Sequence, residues 1–194
     1  MMKKKNITGI ILAGGKSSRM GTNKALLQYR GLPFIQHIIN TMKPLVDHII
    51  IVGKPKEYSD LNFRCVDDII PDSGPVAGIH AGLENSTTQY NLVLSCDIPL
   101  ISEKILKELI DNIDENKDVV MIESNEQPHP LIAVYQKHCK DLFDDLLTVG
   151  KNRLLSALDQ LNVKTISLSD PNAPYVTNIN DPSTLIKLNY EAND

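Results

Sequence analysis

Arg19 and Lys24 lie in the stretch Leu12 to Lys24, LAGGKSSRMGTNK, together with the hydroxyls of Ser17 and Ser18 and the glycines Gly14, Gly15 and Gly21. Side chains of these types in one short loop suit a triphosphate, whose oxygens need several donors and at least one permanent positive charge. Gly14 and Gly15 follow the apolar run Ile7 to Leu12 without side chains of their own, so the N–H groups of Ala13 to Gly15 could turn toward an anion. A second chemical candidate is Asp97, in Cys96-Asp97-Ile98-Pro99. It follows the apolar run Asn91 to Ser95, at what would be the carboxyl end of a strand on the edge where the glycine-rich loop ends its own strand. A hard carboxylate beside bound phosphates is how proteins commonly hold Mg²⁺, with few protein ligands and several waters. The plainer reading of an isolated aspartate there is an Asx turn or a cap before Pro99.

Two phosphate motifs are excluded. Gly15-Lys16-Ser17 mimics the tail of a P-loop, but Gly9 stands one residue too far upstream, Ile10 occupies the required position, and the residues between are strand-like. The dinucleotide fingerprint G-x-G-x-x-G is absent. On chemistry alone, an ordinary glycine-rich turn with solvated charges remains open. Cys96 reads as a small buried residue, not a nucleophile, since no activating base stands beside it.

Weaker candidates come from position. Asp67 and Asp68 follow a short strand ending near Val66, on the side where open α/β sheets bind ligands, although a solvated turn would use the same residues. Gly74, Gly78 and Gly82, with Ala77 and Ala81, give the next helix a smooth face, for close packing on a sheet or for close approach to a flat base. His129 stands between Pro128 and Pro130 after Gln127, where a rigid surface turn is the ordinary expectation. Asn178 and Asn180 alternate on an extended segment and so can face one side. A turn with Asp181 as cap and Pro182 opening a last helix accounts for the same residues. His37, His48, His80 and His138 have no metal-ligand spacing and read as structural.

The elements that must position these groups follow from periodicity. Phe34, Ile35, Ile38, Ile39 and Met42 repeat at helical spacing, with Pro33 suited to the first turn. His48 to Val52, closed by Gly53, is a second buried strand, parallel to the first. Ser102 caps a helix whose stripe is Ile105, Leu106, Leu109, Ile110 and Ile113, with Glu103 in its first turn. Asp118 to Ile122, Ile132 to Tyr135 and Val163 to Leu168 read as strands. Leu142, Phe143, Leu146 and Leu147 mark one helix, and Leu154, Leu155, Leu158 and Leu161 another beyond Gly150. Asp170 to Pro174 reads as a loop. This alternation predicts a three-layer α/β domain with a mostly parallel, doubly wound sheet.

With 194 residues the chain is expected to form one domain, residues 1–194, around a single core. A hydrophobic share of 42% and a net charge of −4 fit a globular protein with no general attraction to nucleic acid. Cys65, Cys96 and Cys139 stand far apart without C-x-x-C, which fits a reducing compartment and argues against a disulfide frame or a zinc site. Lys3 to Lys5 before ITGIILAGG resembles a signal peptide, but the apolar run is short, contains Thr8 and Gly9, and leads directly into the cationic loop. No run approaches a membrane span, so a cytoplasmic protein is expected.

LAGG-K-S-S-RMG-TN-K-ALL resembles the signature loop of the small nucleotidyltransferases that activate a phosphate with a nucleoside triphosphate, and within them the sequence is most similar to the molybdenum cofactor guanylyltransferases. Further blocks recur in order over nearly the whole chain: GP-VAG from Gly74, SCDIPL around Asp97, QPHPL-x-AVY from Gln127, and N-x-N-x-P from Asn178. The resemblance implies a Rossmann-like nucleotidyltransferase fold and transfer of GMP from GTP to the terminal phosphate of the molybdenum-molybdopterin cofactor, releasing pyrophosphate. It implies nucleotide or metal contacts from Leu12, Ala13, Gly14, Gly15, Lys24, Asp68 and Asp97, with Gly78 near the base and Arg19 acting with Lys24 and Asp97 in catalysis. It also implies an acceptor side formed by Gln127, His129, Asn178 and Asn180, and Mg²⁺ held by Asp97 with Asn180 as second ligand. Transient contacts with other molybdenum-cofactor proteins would follow. The sequence departs where some members carry an asparagine after the second strand; here Val52 and Gly53 stand there. The rival readings are a cytidylyltransferase or sugar-phosphate nucleotidyltransferase on the same fold, and a carrier or sensor that binds nucleotide or molybdopterin without chemistry.

Overall fold

The computed structural model describes residues 6–14, 23–67, 74–180 and, near the C-terminus, 183, 184 and 186. The first half contains β1 (Ile7–Leu12), the short strands β2 (Gln28–Tyr29) and β3 (Leu32–Pro33), α1 (Phe34–Met42), β4 (His48–Val52), β5 (Arg64–Val66) and α2 (Gly74–Asn85). The second contains β6 (Tyr90–Ser95), α3 (Glu103–Asp111), β7 (Val119–Ser124), β8 (Gln127–Gln136), α4 (Cys139–Thr148), α5 (Leu154–Leu158) and β9 (Val163–Ser167). Seven strands form one sheet in the order β5-β4-β1-β6-β8-β7-β9, while β2 and β3 pair as a separate antiparallel ribbon. In the large sheet β8 alone runs against its neighbours; the other pairings are parallel.

Alternation along β1 shows why both faces must be covered. Ile7 and Ile11 enter the cluster that also takes Ile35, Ile38 and Met42 of α1 and Ile105, Leu106 and Leu109 of α3. Ile10 and Leu12 enter the opposite cluster, with Val76 and Ile79 of α2, Phe143 of α4 and Leu154 of α5. A strand whose two faces are both apolar folds only between two helical layers, and the expected three-layer, mostly parallel sheet is what forms. Each fully buried aliphatic side chain stabilises by about 1.5–3 kcal/mol relative to exposure. Two glycines set how closely the layers approach. A Cβ on Gly82 of α2 would lie 2.5 Å from Ile10 Cγ2, and one on Gly9 of β1 would lie 2.2 Å from Met42 Sδ of α1.

Several local expectations are corrected. The QPHPL segment is not a surface turn but the start of β8; the turn lies before it, at Asn125 and Glu126, whose φ angles of 51° and 59° make a tight hairpin without glycine. Pro130 fits there because the register shifts between Met121, which pairs with Ala133, and Ile122, which pairs with His129, while Pro128 pairs with Glu123 near the start of the strand. Pro130 to Ile132 bulge out of the ladder with β7, and Tyr135 Oη donates to Pro130 O at 2.8 Å across the bulge. Asp170–Val176 is a 3-10 helix, not a loop. Leu155, expected in the buried stripe of α5, is 56% exposed, and Ala157 takes the inward place. Ser102 Oγ does cap α3, accepting from Ile105 N at 3.5 Å.

Candidate active site

The parallel strands β1, β4, β5 and β6 stop level with one another, with Leu12 in register with Val52 and Ser95, and Val52 with Val66. Their carboxyl ends form one edge of the sheet. Just beyond it the ladder continues in single bonds: Ala13 N donates to Val52 O at 2.8 Å, Gly53 N to Val66 O at 2.9 Å, and Cys96 N to Leu12 O at 3.1 Å. These bonds fix where Gly14 and Asp97 leave the sheet. They also correct one expectation: the N–H of Ala13, expected among the anion donors, is already given to Val52. Leu12 is buried with its side chain toward α2, where a Cβ on Gly78 would touch Leu12 Cδ2 at 3.4 Å. The small residues of α2 therefore serve close packing on the sheet first.

Three residues remote in sequence meet at this edge. Lys24 Nζ donates to Asn180 Oδ1 at 2.5 Å and lies 3.9 Å from Asp97 Oδ2. Asp97 is held from both sides, because Ser95 Oγ donates to its Oδ1 at 2.5 Å and Ile179 N donates to its backbone oxygen at 2.8 Å. The last bond brings the C-terminal segment in. Ile179 is 1% exposed and packs with Tyr29 and Phe34, whereas Asn178 and Asn180 on either side are exposed, the alternation expected of an extended segment with both amides outward. The Asp97 and Lys24 side chains are 13% and 24% exposed, so a ligand reaching them would meet charges that water screens only in part.

Lys24 itself is delivered by a 3-10 turn, Lys24–Leu26, capped by Asn23, whose Oδ1 accepts from Ala25 N at 3.0 Å. Asn23 Nδ2 donates to Tyr58 Oη at 2.8 Å and also to Glu57 Oε2. Tyr58 Oη in turn donates to Ala13 O at 2.7 Å. The Tyr58 side chain is 2% exposed, and burial pushes its phenol well above the ordinary range, so it stays a hydroxyl. Neither Tyr58 nor Ser95 stands out in the sequence. The available signals were Gly53, where a Cβ would lie 2.8 Å from Tyr58 Cε2, and a serine two positions before an aspartate at a strand end.

The reversed strand brings a further group to the same edge. Leu94 pairs with Ile132, so the residues of β8 that precede Ile132 run on past the end of β6 toward Asp97. Gln127 is exposed there and His129 is half-buried; burial lowers the His129 imidazole below its ordinary value. Cys96 is buried, and desolvation, reinforced by the Asp97 charge, pushes its thiol up to about 12, which removes it as a thiolate nucleophile at neutral pH. Asp67 ends exposed beyond β5. Gly15, Arg19 and Asp68 lie outside the described residues. All three cysteines are free. Among the described residues no helix is long and apolar enough to cross a membrane.

This edge can bind and neutralise a polyphosphate: a fixed cation, a hard carboxylate and an amide oxygen converge at the strand ends from which Gly14 leaves the sheet. Comparison with known proteins agrees. Residues 9–165 match the MobA-like NTP transferase domain. A probable molybdenum cofactor guanylyltransferase of Flavobacterium johnsoniae is 35% identical over 94% of this chain and 96% of its own. Another from Clostridium perfringens is 37% identical over 86% and 82%. The solved structure of molybdopterin-guanine dinucleotide biosynthesis protein A from Archaeoglobus fulgidus superposes with a TM-score of 0.82 at 22% identity, covering 96% of this chain and 98% of that one, which establishes the shared fold. The chain belongs to the MobA-like NTP transferase family, alongside the molybdenum cofactor guanylyltransferases.

Proposed function

We propose that this nucleotidyltransferase moves GMP from GTP to the terminal phosphate of the molybdenum-molybdopterin cofactor, giving molybdopterin guanine dinucleotide and pyrophosphate. The observation that carries the reading is the meeting of Lys24, Asp97 and Asn180 at the carboxyl edge beside Gly14. The acceptor phosphate oxygen forms a bond to the α-phosphorus of GTP while the α–β anhydride bond breaks in line, and pyrophosphate leaves with the bonding electrons. No side-chain nucleophile takes part.

Asp97 and Asn180 offer a carboxylate and an amide oxygen, hard donors already turned toward one cation, the Lys24 ammonium, and such a pair fits Mg²⁺. When bound, Mg²⁺ would supply positive charge to the phosphate oxygens. Ser95 and the Ile179 amide hold Asp97 in one orientation, so its charge need not reorganise during the reaction. Lys24 and Arg19 neutralise charge on the leaving pyrophosphate. Leu12, Ala13, Gly14 and Gly15 are assigned to the phosphates, and Gly78 and Asp68 to the nucleoside. Gln127, His129 and Asn178 face the pterin phosphate. The reaction suits the cytoplasm, where GTP is supplied.

The test is pyrophosphate release measured with each nucleoside triphosphate and with molybdopterin or sugar-phosphate acceptors. GTP with the molybdopterin acceptor should turn over fastest; a clear preference for CTP defeats the guanylyl assignment. Tight GTP binding without turnover on any acceptor would point to a carrier instead.

A further inference from the structure

The carbonyl of Ala13 and the side chain of Asn23 are separated along the chain by the whole cationic stretch, yet both bond to one atom. Tyr58 Oη donates to Ala13 O at 2.7 Å and accepts from Asn23 Nδ2 at 2.8 Å. Asn23 is the cap of the turn that carries Lys24, and Lys24 is the cation that meets Asp97 and Asn180. Gly53 makes the arrangement possible. Any side chain at that position would put a Cβ 2.8 Å from the Tyr58 ring and 3.3 Å from Ala13 C.

We infer that Tyr58 is a positioning residue for the transfer reaction: its hydroxyl, acting through Asn23, sets the distance between the end of β1 and the Lys24 ammonium. A buried phenol suits this task, since it can accept from the amide and donate to the carbonyl at once, and its rigid ring, with two rotatable bonds, loses little entropy when fixed. Because burial raises its pKa, the donor persists across the working pH range. The inference rests on the proposed role of Lys24 in holding the triphosphate.

The experiment is GTP titration of the full chain by calorimetry, for wild type, Tyr58→Phe, Lys24→Ala and the double variant. Tyr58→Phe keeps the ring and removes only the oxygen. GTP affinity is expected to fall about threefold to tenfold, the scale of one neutral hydrogen bond, and the substitution should add nothing in the Lys24→Ala background. Asn23→Ala, which cuts the same connection and also removes the cap of the Lys24 turn, should give a loss at least as large that is likewise silent without Lys24. Wild-type affinity in Tyr58→Phe overturns the inference. So does an equal loss with and without Lys24, which marks general loosening of the fold. Failure of the wild-type chain to bind GTP, or full affinity in Lys24→Ala, would instead sink the triphosphate reading itself, so the two failures are distinguishable.

Discussion

Lys24 donates to Asn180 across a separation of 156 residues, and that bond closes the site. The N-terminal turn and the C-terminal segment have no reason in local sequence to meet. They do so because Ile179 is anchored to the backbone of Asp97 on one side and to Tyr29 and Phe34 on the other. The candidate site therefore depends on the chain being folded as far as Asn180.

Asp97→Ala is expected to reduce turnover by roughly 10²–10³-fold, the scale of losing one preorganised charge-stabilising group, with GTP affinity substantially retained. Pyrophosphate release and calorimetry on the same preparation check this. Normal turnover would overturn the proposed metal-holding role of Asp97.

Lys24→Ala should weaken GTP by about 1.5–3 kcal/mol, as expected for hydrogen bonds to a charged group. Because Lys24 is 24% exposed, rising salt should reduce the difference. Equal affinities in titrations at low salt would refute the assignment.

Burial of His129 disfavours the imidazolium, so the ring titrates below 6.5 and is neutral at pH 7 and above. Neutral His129 can bind the acceptor by a hydrogen bond but not by charge. The KM for the acceptor should stay flat from about pH 7 upward, and His129→Gln should raise it by roughly twofold to tenfold with GTP affinity unchanged. The stability sign is the reverse of that for a salt-bridged histidine: the unfolded chain takes up the proton first, so stability falls as pH drops through 6.5 toward the lower folded value. His129→Gln should lessen that acid-side fall in thermal midpoint.

Gly82→Ala places a methyl 2.5 Å from the stiff, β-branched Ile10 and should destabilise by about 1–3 kcal/mol, read from denaturant midpoints. Gly78→Ala meets Leu12 only at 3.4 Å and should cost less. If Gly78→Ala also keeps wild-type GTP affinity, packing is its whole role.

Much of the architecture was legible because it rests on burial. Ile10 to Leu12 and Ile49 to Val52 are continuous apolar runs, and strands with both faces covered read that way. Lys24, Asp97 and Asn180 were legible as types at strand ends and in an extended tail, with the resemblance to a known family singling them out. What escaped was geometry without a periodic signature. Asn125 and Glu126 turn a hairpin at positive φ without glycine, and Pro128 and Pro130 disguise β8, the second because a bulge tolerates it. Tyr58 lies in KPKEYSD, a polar stretch that gives no hint of a buried ring. Its importance appears only when Ala13 and Asn23 are seen on either side of one oxygen.

The lone reversed strand has a consequence for how such a protein can change. Gln127 and His129 ride on a hairpin arm whose exposed two-residue tip, Asn125 and Glu126, tolerates insertion, while Lys24, Asp97 and Asn180 are tied to one another beyond the end of β6. Evolution can therefore lengthen or recut that arm, and with it the proposed acceptor side, without disturbing the contacts among Lys24, Asp97 and Asn180.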